Sequence, residues 1–197
     1  MSTPIYLMQQ QLRSSPFYAS PSPLATPLGG ITEPKIGDVG LTRISGFVGK
    51  MIRIGQWLNG VSWEQAQYEH SLLYLGDGMA IEAQPGGAWI YPVEREWQPG
   101  EILWVRITDL TAEQQAALIR EADKLKGTPY SFLDYVALMV RRFGIPFPGL
   151  KKYVANTKHM ICSQLVDELY HRAGIELFEG RWPGYVIPAD FYIHYAS

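Results

Sequence analysis

The chain has a single cysteine, Cys162, among its 197 residues, which excludes an intramolecular disulfide framework. It also lacks an apolar run long enough to cross a bilayer, because the best segment, 132–140, is interrupted by Asp134 and stops at two arginines. No basic patch followed by an apolar stretch marks the N-terminus, so we expect no ordinary signal peptide. Two locations stay open: the cytoplasm, or carriage in a particle with later release.

An excess of basic charge is missing as well. Lys and Arg number 17 against 19 Asp and Glu, for a net charge of -2, and the basic pairs at 141–142 and 151–152 are short. Because phosphate binding needs a clustered basic footprint, we expect no nucleic acid partner. No pattern in the sequence requires a cofactor, and none is expected.

Proline is concentrated near the N-terminus. Prolines from Pro4 to Pro34 are interspersed with Ser, Thr and Gln, and no helical or strand period persists in residues 1–35. This composition predicts an irregular arm, docked on its own domain or on a protein partner. Residues 36–197 are long enough for one domain with a substantial core.

The order of the predicted elements indicates an α+β fold. Apolar periodicity and turn residues predict strands at 38–44, 68–75, 79–84, 88–93 and 101–107. Helices are predicted from the Thr111–Gln114 capping-box pattern to Gly127, and at 132–143 and 160–173. Strands followed by helices are typical of an antiparallel sheet packed against helices, not of an alternating parallel sheet.

Cys162 is a candidate nucleophile because of where it lies. A lone cysteine is usually a small buried apolar residue, but Cys162 falls in the first turn of the last predicted helix. Unpaired N–H groups and the positive end of the helix dipole stabilise a thiolate there and can bind an oxyanion. Catalysis also needs a base that returns its proton to the leaving group, which is the role of a histidine.

Four histidines compete for that role. His171 lies nine residues after Cys162 on the same predicted helix and cannot reach it. His159 and Cys162 suggest a metal pair, but no second cluster completes a zinc site and no metal is expected. The sequence leaves the position of His194 open. His70 remains, on a strand predicted to form a hairpin with the strand of Glu82.

The length of the hairpin loop decides whether His70 and Glu82 meet. With a three-residue loop at 76–78 and a left-handed Gly78, Leu72 pairs with Glu82, and His70 becomes its diagonal neighbour on the same face. A two-residue loop would place them on opposite faces. The alternative is a strand histidine with other partners and an exposed carboxylate.

The segment 70–78, His-Ser-Leu-Leu-Tyr-Leu-Gly-Asp-Gly, resembles the histidine motif of the NlpC-type papain-like hydrolases. The segment 161–166, Ile-Cys-Ser-Gln-Leu-Val, resembles their cysteine motif. Histidine precedes cysteine, as in the circularly permuted branch of that family, whose first-strand and closing motifs resemble 37–38 and 186–190. The likeness spans about residues 36–192, and it implies a permuted papain-like fold.

The resemblance also implies roles for individual residues. Cys162 would be the nucleophile and His70 the general base and then acid. Glu82, twelve positions after the histidine as in the family, would orient it. Tyr130 would donate a hydrogen bond to the oxyanion or substrate, with a packed aromatic as the alternative.

Three functions follow as hypotheses. The first is a cysteine peptidase or amidase that cleaves a peptidoglycan stem or crosslink peptide, as a phage- or particle-associated cell-wall enzyme. The second is a lipid or thioester acyl hydrolase or acyltransferase, with Trp57, Leu58, Trp63 and Trp89 lining an acyl groove. The third is a non-catalytic assembly protein that retains the fold.

Overall fold

Five short strands form one antiparallel sheet in the computed structural model, which describes residues 31–44, 46–58, 60–84, 87–129, 162–178 and 186–195. The strands are β1 (Val39–Thr42), β2 (His70–Gly76), β3 (Met79–Gln84), β4 (Gly87–Pro92) and β5 (Leu103–Val105). Their order across the sheet is β4-β3-β2-β1-β5. The predicted α+β class, with an antiparallel sheet and helices, is therefore confirmed.

The described helices are α1 (Gly46–Leu58), α2 (Val93–Glu96), α3 (Ala112–Leu125), α4 (Cys162–Arg172) and α5 (Pro188–Tyr195), with a 3₁₀ turn at Gln65–Gln67. Helix α3 begins at the predicted capping box. The Gln114 backbone N–H donates to Thr111 Oγ1 at 3.2 Å, and the Thr111 backbone N–H donates to Gln114 Oε1 at 2.9 Å. Two N–H groups at the helix start are thereby satisfied.

Helices α3 and α4 cover one face of the sheet. Leu73 of β2 and Ile81 of β3 pack in one buried cluster with Leu118 of α3 and with Leu165 and Leu169 of α4. Full burial of such a side chain contributes about 1.5–3 kcal/mol, so this layer anchors α4 firmly. Its first described residue, Cys162, is fixed with it.

The opposite face is covered by the segment around α2. Leu72 and Ala80, which alternate with Leu73 and Ile81, form a second buried cluster with Tyr91 and Trp97. Because side chains alternate along a strand, His70 and Glu82 belong to this second face. The histidine and the cysteine therefore approach each other from different sides of the sheet, at the N-terminal end of β2.

Three described helices, α1, the one-turn α2 and α5, were not predicted. Helix α1 contains Gly46, Gly49 and Gly55, and glycine weakens a helix by about 1 kcal/mol per residue. Packing overrides this local preference, because the amide of Gln56 is fully buried and hydrogen-bonded. Helix α5 begins at Pro188, a residue favoured in the first helical turn because it lacks an N–H to satisfy there.

The predicted helix at 132–143 and residues 1–30 of the predicted arm lie outside the described residues. Within the part of the chain that the structure describes, no helix has the length and apolar character needed to span a membrane.

Candidate functional site

A β-bulge fixes the face on which His70 and Glu82 meet. The turn between β2 and β3 has two residues, Asp77 and Gly78, so the predicted three-residue loop is wrong. Leu75 is an extra residue on β2, because Gly76 pairs with Met79 whereas Tyr74 pairs with Ala80. This bulge restores the register that the longer loop would have given. Leu72 therefore stands opposite Glu82, as predicted.

His70 and Glu82 are hydrogen-bonded in the sheet. The Nε2 of His70 lies 2.8 Å from Oε2 of Glu82, and the two residues are 8% and 1% exposed. In a buried site this short contact between an imidazole and a carboxylate fixes the ring orientation. Because Nε2 is engaged, Nδ1 is the nitrogen left to face another partner.

That partner is Cys162. Its thiol is hydrogen-bonded to the His70 side chain and also receives the backbone N–H groups of Ser71 and Ser163. Cys162 is 3% exposed. The structure therefore brings together three of the residues that the sequence singled out, in the order Cys162, His70, Glu82.

Electrostatics in this cluster favour a charged pair. Burial by itself would raise the pKa of Cys162, but the His70 imidazolium and the two backbone N–H groups lower it. Burial by itself would lower the pKa of His70, but the Cys162 thiolate and the Glu82 carboxylate raise it to about 10. Each charged partner stabilises the other. The arrangement thus supports a thiolate beside an imidazolium at neutral pH.

Two aromatic residues beside this cluster were not predicted from the sequence. The ring of Trp97 stacks on His70 with centroids 6.3 Å apart and an angle of 26° between the planes. Its Nε1–H donates to the Tyr91 hydroxyl at 3.1 Å. Tyr91 lies beside Glu82, as its diagonal neighbour on β4, and burial together with the charge of Glu82 raises the pKa of Tyr91 well above its ordinary value. The sequence could have indicated that Tyr91 lies near Glu82 only if the register between β3 and β4 had been known.

The remaining sequence candidates lie elsewhere. Tyr130 and His159 fall outside the described residues. His171 is exposed near the end of α4, and His194 is an exposed residue whose ring packs edge-to-face against Phe178 at 5.4 Å. Neither of these two histidines is among the groups that interact with Cys162.

Asp38 and Ser163 make structural contacts. Both oxygens of the Asp38 carboxylate accept from the Arg106 guanidinium, at 3.0 Å and 2.7 Å. The Lys35 backbone N–H donates to the same carboxylate at 2.7 Å. The Ser163 hydroxyl donates to the Val186 carbonyl at 2.7 Å, which ties α4 to the segment before α5.

A cavity of about 590 Å³ lies on the second face of the sheet. Trp97 lines it together with Tyr74 and Trp104, but Cys162, His70 and Glu82 do not. This cavity is therefore separate from the polar cluster, and Trp97 is the residue that lines the cavity and also contacts the cluster.

No protein-family model matches the chain, and a search of curated proteins finds no match either.

Proposed function

We propose that the chain is a cysteine hydrolase with a permuted papain-like, NlpC-type fold, in which Cys162 attacks an amide carbonyl. The buried hydrogen-bonded series of Cys162, His70 and Glu82 carries this proposal. A cysteine that only packs in a core does not require a histidine and a carboxylate beside it. A catalytic cysteine uses the histidine as acid and base and the carboxylate to orient that histidine.

Each of the three groups has its own role in the proposed reaction. The Cys162 thiolate adds to the carbonyl carbon and expels the amine, which leaves with the proton of the His70 imidazolium. His70, now neutral, takes a proton from water, and the resulting hydroxide equivalent hydrolyses the thioester to a free acid. Glu82 keeps the imidazole in one orientation and stabilises its charged form.

The proposed substrate is a peptide amide of bacterial peptidoglycan, in a stem or a crosslink. The likeness of segments 70–78 and 161–166 to the NlpC-type motifs supports this choice. The thiol chemistry is supported by the residues themselves and is independent of that choice.

The test is digestion of labelled peptidoglycan and of a stem peptide, with the products identified by mass spectrometry. We expect release of muropeptides by the wild-type protein and none by Cys162→Ala or His70→Ala. His171→Ala, which removes an exposed histidine of α4, is the matched control and should retain activity. Cleavage that survives Cys162→Ala in a folded protein would contradict the thiol mechanism.

An acyl-transfer function is the second candidate, and an exposed apolar surface favours it. Trp57, Leu58 and Trp63 are 50%, 54% and 52% exposed, and the two indole rings contact each other edge to face at 6.3 Å. Contiguous exposed apolar groups are typical of sites for lipids or other partners. Hydrolysis of acyl esters or thioesters without any effect on muropeptides would support this function. A wild-type thiol without activity on either substrate class would favour the assembly protein.

A further inference from the structure

Glu82 is flanked by a polar side chain on each neighbouring strand. His70 on β2 is its diagonal neighbour on one side. On the other side, Ala80 pairs with Tyr91, which makes Tyr91 the diagonal neighbour of Glu82 on β4. All of these side chains lie on the second face of the sheet, under Trp97.

The two oxygens of the Glu82 carboxylate have different environments. Oε2 is bound by His70 at 2.8 Å. Oε1 is buried, and no described donor reaches it in full hydrogen-bond geometry, although the Tyr91 side chain lies close enough to interact with the same carboxylate. A buried carboxylate oxygen without a donor is costly, and it is the point at which one further donor would keep Glu82 charged.

The Tyr91 hydroxyl carries a proton that its hydrogen bond with Trp97 does not use. Its phenolic oxygen already accepts the Trp97 Nε1–H at 3.1 Å, so the hydroxyl proton is directed away from Trp97. Glu82 is the strongest charge acting on this phenol, and the Glu96 carboxylate of α2 acts on it more weakly. The phenol stays protonated at neutral pH, because burial and these charges raise its pKa.

We propose that Tyr91 is a positioning residue for the catalytic triad, which donates its hydroxyl proton to Oε1 of Glu82 while Trp97 fixes the direction of that proton. The inference rests on the proposed thiol function. The resulting series runs from Trp97 through Tyr91, Glu82 and His70 to Cys162, and each of these residues is at most 8% exposed. Trp97 contacts this series at two points, because its ring also stacks on His70.

The experiment reads the ionisation of Cys162 directly. Thiolate absorbs in the ultraviolet, and since Cys162 is the single cysteine, subtraction of the same protein with Cys162→Ala isolates its titration. This readout needs neither a substrate nor access of a reagent to a buried thiol. Tyr91→Phe removes one hydroxyl, and Trp97→Phe removes the N–H while it keeps an aromatic ring over His70.

We expect Tyr91→Phe to raise the low-pH ionisation step of Cys162 by about one pKa unit, the effect of one hydrogen bond to a charged group. Trp97→Phe should shift it in the same direction by less. In a protein that already carries Glu82→Gln, Tyr91→Phe should cause no further shift in the Cys162 titration. Tyr170→Phe is the matched control, because that buried hydroxyl donates to the Gly37 carbonyl and its loss should lower stability without moving the titration.

The outcomes separate the two proposals. If the wild-type thiol ionises at low pH but both Tyr91→Phe and Trp97→Phe leave that step unmoved, the positioning role is overturned and the thiol function stands. If the wild-type thiol shows no low-pH step, the thiol function fails and the positioning role fails with it. Should Tyr91→Phe not fold, Trp97→Phe decides, because it retains Tyr91.

Discussion

His70 presents Nε2 to Glu82 at 2.8 Å, and this leaves Nδ1 as the nitrogen that faces Cys162. The two ring nitrogens thus have separate tasks, since one is held by the carboxylate and the other exchanges a proton with the thiol. Loss of the Glu82 charge should weaken the hydrogen bond at Nε2, and it should thereby make the proton exchange between Nδ1 and the thiol less favourable.

Glu82→Gln tests this coupling with little change in side-chain shape. Without the carboxylate, the imidazolium loses a charged hydrogen bond, so the pair of thiolate and imidazolium becomes less favourable. We expect the rate of Cys162 alkylation at neutral pH to fall about ten- to a hundredfold, since such a bond contributes ~1.5–3 kcal/mol. The measurement is iodoacetamide modification followed by mass spectrometry. An unchanged rate in a folded variant would show that Glu82 does not act on the thiol.

The activity of the wild-type protein should have a bell-shaped pH dependence. Below the lowered pKa of Cys162, the thiolate is protonated and the rate falls. Above a pH of about 10, His70 loses the proton that the leaving group needs, and the rate falls again. The profile of initial hydrolysis rate against pH tests both limbs. An alkaline limb near pH 7 would contradict an imidazolium stabilised by Cys162 and Glu82.

His70→Asn removes both roles of the imidazole, which are to lower the pKa of Cys162 and to protonate the leaving group. The imidazolium that lowers the pKa of Cys162 is absent, whereas the N–H groups of Ser71 and Ser163 remain. We expect the thiol to titrate at a higher pH than in the wild type, and hydrolysis to be lost at every pH. The thiolate absorbance against pH measures the shift. His194→Asn, at an exposed ring, is the matched control and should leave the titration unchanged.

The sequence predicted features that depend on neighbouring residues. Strand β3 begins and ends where the alternation of Met79 to Gln84 predicts, and Thr111 caps α3 as its spacing to Gln114 predicts. These signals are local, because a strand face or a cap involves residues a few positions apart.

The sequence could not predict features that depend on tertiary packing. Tyr91 and Trp97 join the site only because β4 pairs with β3 in one register and the segment after α2 folds over that face. The bulge at Leu75 is another such case: the predicted loop was wrong although its consequence for Glu82 was right. Register and covering segments are set by the whole sheet and not by the residues of one hairpin.

Asp38→Asn tests whether the Asp38–Arg106 pair is purely structural. Asp38 is 2% exposed and binds Arg106 through both oxygens, so loss of its charge leaves Arg106 with a weaker partner. We expect a loss of about 2 kcal/mol in the free energy of unfolding, measured by urea denaturation, and no change in the Cys162 titration. Glu121→Gln breaks surface ion pairs with Lys124 and Arg172 and should leave the unfolding midpoint nearly unchanged. A shift in the Cys162 titration with Asp38→Asn would instead connect this pair to the site.

Glu69 should make stability depend on pH. It is 4% exposed and accepts the Ile44 backbone N–H at 2.8 Å. Burial raises its pKa to about 8 from 4.5, although the Ile44 hydrogen bond and the charges of Arg53 and Arg43 oppose the rise. Between pH 4.5 and about pH 8, the folded state therefore keeps a proton on Glu69 that the unfolded state has already released. Its contribution to stability is full below pH 4.5 and is lost as pH rises through that window.

Glu69→Gln removes the titrating group and keeps an oxygen that can accept from Ile44. We expect the variant to match the wild type near pH 5 and to be more stable at pH 8 and above, by on the order of 4 kcal/mol at 1.36 kcal/mol per pKa unit. Urea denaturation of both proteins over this range measures the difference, and the low-pH values serve as the internal control. A difference that stays constant with pH would mean that Glu69 is charged in the folded protein throughout the range, held by Arg43 and Arg53.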